Sequence, residues 1–448
     1  MEARAITRMV SIRDRVRLCL LAGAVGLCAP MPALGQSLEA ELQRLLHEHP
    51  QIRAAKQNAA AAKARISEAQ SDYYPQIGLT ADTGWERTNE PARRAAANGE
   101  PFEKWRDSGA LTVTQNLFNG FRTGAGVRAA ELAHDVAQTQ IEATRQAVLF
   151  EAISSYLNVL RSQRVIEVSA RNEGNIQDQL RLEDERVQRG SGITVDVLQA
   201  KSRLQLAKER RVAFEGRLRD SVARYMQVFD SIPEISTLDD VRPPEELVPA
   251  SLEEALSLAE THNPQIKISN LQSESAQEQK TIAQSDYWPT INLVGSATYE
   301  DDVSTTIGIK REKSLLVRGT WDFFSGFRTR SRVEAAARTI QSTKDVVRYT
   351  HRKVLEEVRL SWEQLKTHKD RVTLLENAVN IALEVLDARK QLRESGKETA
   401  LNVLDAESEV FNAQLNLFEA DFDSRLAAYR LSLGTGMLAP SALNLSED

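Results

Sequence analysis

Cysteine is nearly absent from this chain: 448 residues hold two, Cys19 and Cys28. Both lie in the first 35 residues, so removal of that segment leaves no disulfide and no thiolate chemistry. Long apolar runs are scarce as well. The early run Leu18 to Ala29 is too short to span a bilayer comfortably, and no later one reaches the roughly 18 apolar residues of a membrane helix. A phosphate-binding loop is missing. None of His47, His49, His134, His262, His351 and His368 pairs with a Glu in the zinc-protease spacing. Gly124-Ala125-Gly126 sits inside a helical pattern with no nucleotide-binding strand before it. These lacks exclude the common enzyme classes, and no catalytic residue, metal or cofactor is expected. Excess positive charge is lacking too: the formal net charge is −6, which disfavours nucleic acid as a partner.

What is present begins with Arg4, Arg8, Arg13, Arg15 and Arg17, then the apolar run, then Ala33-Leu34-Gly35. That pattern predicts a secretory signal over 1–35, cleaved after Gly35. Five Arg against Glu2 and Asp14 give the segment +3, so its loss takes the formal charge from −6 to −9. Cys28 follows the apolar run as a lipidated cysteine would, but Leu27 stands where a small residue is wanted.

The remaining chain repeats itself. QSDYYPQIGL at Gln70 returns as QSDYWPTINL at Gln284, and the stretch from Ser37 returns at Ser251, both about 214 residues on. LFNGFRT at Leu117 returns as FFSGFRT at Phe323, and GSGITVDVLQA at Gly190 as GKETALNVLDA at Gly396. These later pairs are about 206 residues apart, so an insertion of about eight lies in the first copy, between Trp85 and Gly109. The expected organisation is a signal over 1–35, a first repeat over 36–236, a connector over 237–250, a second repeat over 251–436 and a tail over 437–448.

Each repeat reads helix, strand, loop, strand, very long helix, turn, helix. Ser37 and Ser251 are candidate N-caps, the latter with Glu254 three residues on. Pro75 and Pro289 end the first helix of each repeat. After Pro75, Ile77, Leu79, Ala81, Thr83 and Trp85 share one face, with Asp82 on the other. After Pro289 the same alternation runs Ile291, Leu293, Gly295, Ala297, Tyr299. Returning strands set Leu111, Val113 and Leu117 against Thr112, Thr114 and Asn116. Leu315, Val317, Trp321 and Phe323 oppose Arg318, Thr320 and Asp322. Strands of about 10 residues with aromatic ends have the length and period of tilted membrane strands. Soluble hairpins packed on a helix show the same period. Four strands cannot close a spanning barrel, and open edges are forbidden in lipid, so spanning strands would require copies to share one barrel. The loops Glu86–Asp107 and Glu300–Lys313 would then face outward.

The pattern predicts a helix from Phe121 to Gly190 about 100 Å long, with two half-length helices stacked beside it. In the second repeat this long helix has two apolar seams. One is Val358, Leu365, Val372, Leu375, Val379, Ala382, Leu386; the other is Leu374, Ala378, Ile381, Val385, Ala388, Leu392. Two seams let one helix pack a neighbour on each side.

Taken together, the doubled SDYxP segments, the LFNGFRT and FFSGFRT junctions and the two Gly-x5-Asp/Asn-Val-Leu turns resemble the TolC-like outer-membrane efflux and secretion channels over the whole chain after 35. The resemblance implies an α plus transmembrane-β fold with an internal two-fold duplication. It implies a homotrimer whose 12-stranded barrel, four strands per chain, lies in outer-membrane lipid and continues as a long coiled-coil periplasmic tunnel. It implies a non-enzymatic export duct, with a periplasmic adaptor and an inner-membrane transporter of ABC or RND type as partners. By that resemblance Asn402 and Asp405 match constricting acidic rings, Asn402 being a departure from Asp, and Asp196 matches a residue that holds the tip closed. Asp405 is expected to act without a buried partner. The basic residue expected two places after Gly396 is missing: Glu398 stands there, beside Lys397. Arg189, Gly190, Ser191 and Gly192, and Glu394, Ser395, Gly396 and Lys397, would form adaptor-docking tips. Asp82, Arg318 and Asp322 would face the barrel lumen. The junction sequence and the lack of a lipid-anchor cysteine favour type I protein secretion over multidrug efflux; a soluble periplasmic adaptor is a third reading.

Overall fold

A computed structural model describes residues 38–91, 100–443 and 445–446. The signal over 1–35 and the Ser37 cap fall outside the described residues.

Each repeat opens with two helices where one was expected: α1 (Leu38–Glu48) and α2 (Pro50–Gln70), then α5 (Leu252–His262) and α6 (Pro264–Gln284), element numbers following chain order. The break is chemical. Proline has no N–H and pushes the residue before it out of the helical region, so His49 and Asn263 sit at ψ 128° and 120°. Ser251 Oγ accepts from Glu254 N, while the Glu254 carboxylate accepts from Ala250 N, a capping box shifted by one residue. Short 3-10 turns at Ser71–Tyr73 and Ser285–Tyr287 lead to the prolines and into strands.

The strands are β1 (Gln76–Thr88), β2 (Phe102–Phe118), β3 (Thr290–Val303) and β4 (Thr306–Thr320), in one antiparallel sheet of order β1-β2-β3-β4. At 13 to 17 residues they are longer than expected. The extra length is charged and ion-paired at the hairpin end: Arg87 to Glu103 at 2.9 Å, Lys310 to Glu300 at 3.6 Å. Such pairs suit water, so only the helix-proximal part has hydrocarbon character. The expected outward loop Glu300–Lys313 is therefore mostly strand. It turns through Ser304 and Thr305, both with positive φ, as a two-residue hairpin turn of the right twist requires.

Register settles the faces. Ile77 pairs with Val113, Val113 with Gly295, and Gly295 with Leu315, so toward the helix end one face is apolar right across the sheet. A bulge after Asn116 lifts Leu117 out of the ladder and sets Phe118 opposite Ile291, correcting the expected place of Leu117. Trp321 and Phe323 lie past the end of β4.

From the sheet two long helices run away, α3 (Arg122–Gln188) and α7 (Arg328–Glu394), 67 residues each. At 1.5 Å per residue each is about 100 Å long. They return as α4 (Thr194–Phe229) and α8 (Ala400–Thr435), 36 residues each. An 11-, a 21- and a 36-residue helix nearly equal one 67-residue helix, which is the stacking expected. The main core lies at mid-length: Leu42, Leu45, Leu149, Ile153, Tyr156, Tyr225 and Tyr429, closed by Leu247 of the connector and Leu438 of the tail. Tyr156 ties the connector down, its hydroxyl accepting from Asp239 N at 2.8 Å. Arg425, almost fully buried, pairs with Asp240 and, at 2.6 Å, with Asp421.

Candidate functional site: helical tips and strand belt

The two tips are built alike. α3 ends in Arg189-Gly190-Ser191, where Gly190 has φ +76° and Ser191 N donates back to Arg186 O at 2.9 Å. α7 ends in Ser395-Gly396-Lys397, where Gly396 has φ +73° and Lys397 N donates to Leu392 O at 2.9 Å. Both are left-handed glycine C-caps closing two orphan carbonyls. Gly192 is required for a different reason: a Cβ there would lie 2.8 Å from Val187 N. Thr399 caps α8 through Asn402 N, whereas Ile193 gives α4 no side-chain cap.

Asp196 lies in the first turn of α4, mostly buried, 3.9 Å from the Arg393 guanidinium. Arg393 holds Glu183 of α3 through two contacts of 2.8 Å and donates to Glu398 O at 3.0 Å. Glu183 is 2% exposed. One cation thus ties α7 to α3, to the α7–α8 turn and, at longer range, to α4. The basic residue expected after Gly396 stands before it, as Arg393. A basic residue in a helix's last turn reads as dipole compensation, so nothing singled Arg393 out.

Asn402 and Asp405 do not form a matched pair. The Asn402 side chain donates to Glu398, and its backbone carbonyl accepts from Arg389 at 3.3 Å. The Asn402 hydrogen bond, with Thr399 N, holds the Glu398 carboxyl below its usual range. Asp405 has a partner, though not a buried one: Arg203 of α4 donates to it at 2.6 Å, both side chains half-exposed. The two short helices run side by side here, which sequence spacing within one helix cannot show. Two residues on from Asp405, Glu407 is almost fully buried, with Lys390 at 3.3 Å; burial pushes its carboxyl above the usual value.

At the other end, Asp82 sits on the polar face of β1 and accepts from Arg106 and Ser108, both at 2.5 Å. Arg318 lies on the same face of β4, opposite Asn292. Asp322 lies two residues past β4, 3.6 Å from Arg328. The three expected lumen residues are therefore not brought together within one chain. The apolar face is bare: Leu79 is 75% and Leu315 72% exposed in the single chain. Aromatic rings bracket it. Trp85 and Trp105 stand opposite each other at the hairpin end, and Phe118, Phe121 and Trp288 meet edge to face at the helix end. An apolar band with aromatic borders is the lipid-facing surface of a membrane barrel.

Known proteins bear on this arrangement. Brucella suis Outer membrane efflux protein BepC is 24% identical over 95% of this chain and 90% of its own. Outer membrane protein TolC of Salmonella enteritidis is 24% identical over 87% of this chain and 80% of its own. Alkaline protease secretion protein AprF of Pseudomonas aeruginosa is 24% identical over 89% and 84%. The Campylobacter jejuni CmeC outer membrane channel superposes with TM-score 0.79 at 14% identity, over 92% of this chain and 90% of that one, a likeness of fold. The family model described as Outer membrane efflux protein matches residues 42–228 and again 255–436, once in each half. The chain belongs to that family, as a transport duct of the outer membrane that reaches into the periplasm rather than an enzyme.

Proposed function

We propose that three copies assemble into one export duct. The observation that carries this is the pair of open sheet edges beneath a bare apolar face. Lipid tolerates no unpaired strand edge, and four strands are too few to close a barrel, whereas three copies supply twelve. The long helices point the same way. Val358, Leu365, Ala382 and Leu386 of the first α7 seam are buried within the chain. Leu374, Ile381, Val385 and Leu392 of the second are exposed, an apolar strip fit for a neighbouring copy. The limits 36–236, 237–250, 251–436 and 437–448 are proposed as two pseudo-equivalent halves, their connector and a tail.

In this reading the tips at Arg189–Gly192 and Glu394–Lys397 dock a periplasmic adaptor, and an inner-membrane transporter of ABC or RND type supplies the energy. Asp196, Asn402 and Asp405 line the constriction, and Asp82 and Arg318 the barrel lumen. The cargo we propose is protein, in the manner of type I secretion. The name of AprF and the NGFRT-type junctions support it; the names of BepC and TolC leave drug-like cargo as the second reading. Deleting the gene and comparing the secreted proteins with drug susceptibility separates the two. Loss of one or a few secreted proteins with unchanged susceptibility is expected. Hypersensitivity with an intact secretome would make efflux the function.

A further inference from the structure

The chain carries an internal pattern for the contact between its copies. Within it, β2 of the first repeat pairs with β3 of the second. A displacement of 206 residues carries β2 onto β4, and one of 214 carries β3 back onto β1. The β2–β3 seam is thus the pattern for a seam between β4 of one copy and β1 of the next.

Three separate features support this use. The inner strands β2 and β3 are half-covered along most of their length, while β1 and β4 are exposed almost throughout. At the helix end of the internal seam, Arg122 pairs with Asp286. The same residue types recur at Arg328 and Asp72, yet Arg328 has only Asp322, at 3.6 Å, and Asp72 has no ion pair among the described residues. Gly120, with φ +67°, is pressed so closely against the next repeat that a Cβ would lie 2.6 Å from Ser285 O and 2.8 Å from Trp288 Cβ. Its counterpart Gly326, with φ +62°, faces open space in the single chain. The surfaces corresponding to Ser285 and Trp288 are Ser71 and Tyr74, on the far edge.

We infer that β4 pairs antiparallel with β1 of the next copy in the internal register, which sets Arg318 opposite Asp82 of that copy and Arg328 beside its Asp72. The inference rests on the trimeric reading above. Inside the chain the position is held by Thr112 opposite Ser296, a neutral pair. Between copies it becomes a pair of opposite charges on the polar face. Asp82 keeps Arg106 and gains a second guanidinium. On the lipid face Val317 meets Thr83, and Leu315 meets Trp85. A one-residue slip would turn every side chain to the wrong face. A two-residue slip would set Arg318 opposite Thr80 or Gly84 and lose the charge match. The pair therefore selects the register of the closing seam.

The test uses cysteine pairs in the full-length protein, extracted from membranes. Thr83→Cys with Val317→Cys is in register; Thr83→Cys with Leu315→Cys or with Gly319→Cys is slipped by two. Native mass spectrometry under reducing conditions first reports whether each variant is a trimer. Copper-phenanthroline oxidation and non-reducing gels then report linked chains. At least tenfold more linkage is expected for the in-register pair than for either slipped pair. Trimers in which a slipped pair links as well, or in which no pair links, overturn the register and leave the trimer standing. Monomers throughout overturn the trimeric reading itself. As a second readout, Arg318→Asp and Asp82→Arg should each lower the heat resistance of the trimer on gels, and the double swap should restore it. Failure of that rescue would also count against the register.

Discussion

His49 and Asn263 occupy the same place in the two repeats, and one residue type changes what the helix start can do. Asn263 Oδ1 accepts from Gln265 N and Ile266 N, filling two of the donors an α-helix leaves open. His49 makes no such cap, and its Nδ1 is buried without a hydrogen bond. Burial lowers its pKa from 6.5, a nearby Glu151 partly opposing. The folded state therefore prefers the neutral ring, and stability is lost as pH falls below about 6.5 toward the folded value. His49→Asn should stabilise the protein by about 1 kcal/mol at pH 7 and by more at pH 5.5, read from denaturant unfolding followed by circular dichroism. A flat or negative change at both pH values would rule out the capping account. Glu407 has the opposite sign. Its folded pKa is raised by burial, so its contribution is fully present below about 4.5 and is lost as pH rises through the folded value. Glu407→Gln should raise stability at pH 7 and change little at pH 4. Lys390, 40% exposed, is left to water. Equal effects at both pH values would assign the change to packing instead.

Among the elements, the tips show what sequence could and could not give. Gly190 and Gly396 were legible because a left-handed cap leaves a mark at one position. The prolines after the SDY segments were legible for the same local reason. The breaks at His49-Pro50 and Asn263-Pro264 are equally local, but the apolar spacing runs on through them and masks them. Contacts between helices were not legible: Arg393 with Glu183, and Arg203 with Asp405, join residues about 200 positions apart. The Arg203–Asp405 pair changes what the proposed constriction should do. A carboxylate beside its own guanidinium is a weak source of field, and a half-exposed pair contributes little to stability. Asp405→Ala should therefore alter cation block of single channels in planar bilayers only modestly. Arg203→Ala should strengthen divalent-cation block and raise cation selectivity, because it frees the carboxylates. If Asp405→Ala alone abolishes block, the pair does not form in the channel. If neither substitution changes it, the constriction lies elsewhere.

At the scale of the whole molecule, duplication turns one chain into two near-equal staves, and the proposed trimer into six. The repeat, the alternation of the strands and the double seam of α7 could be read directly, since each is a period along the chain. What remained hidden was which seam the chain uses for itself. The structure divides them: Val358 is 0% exposed, while Ile381 is 62% exposed. The division predicts different consequences for the same chemistry. Val358→Asp would place an unpaired carboxylate in a filled core and should prevent stable folding of the chain. Ile381→Asp alters nothing the single chain buries, so the helical content and the fold of each copy should persist. The charge would instead enter the contact between copies, where its desolvation opposes assembly. Native mass spectrometry of the membrane-extracted Ile381→Asp variant should show the trimer depleted in favour of folded monomers, with a circular dichroism spectrum close to wild type. Leu374→Asp, two seam positions away, should behave alike, and its exposed neighbour Glu376→Lys, off the seam, should leave the trimer intact. Intact trimers for both seam variants would mean that the second seam faces water in the assembled duct, and the staves would then have to meet along some other strip of α7.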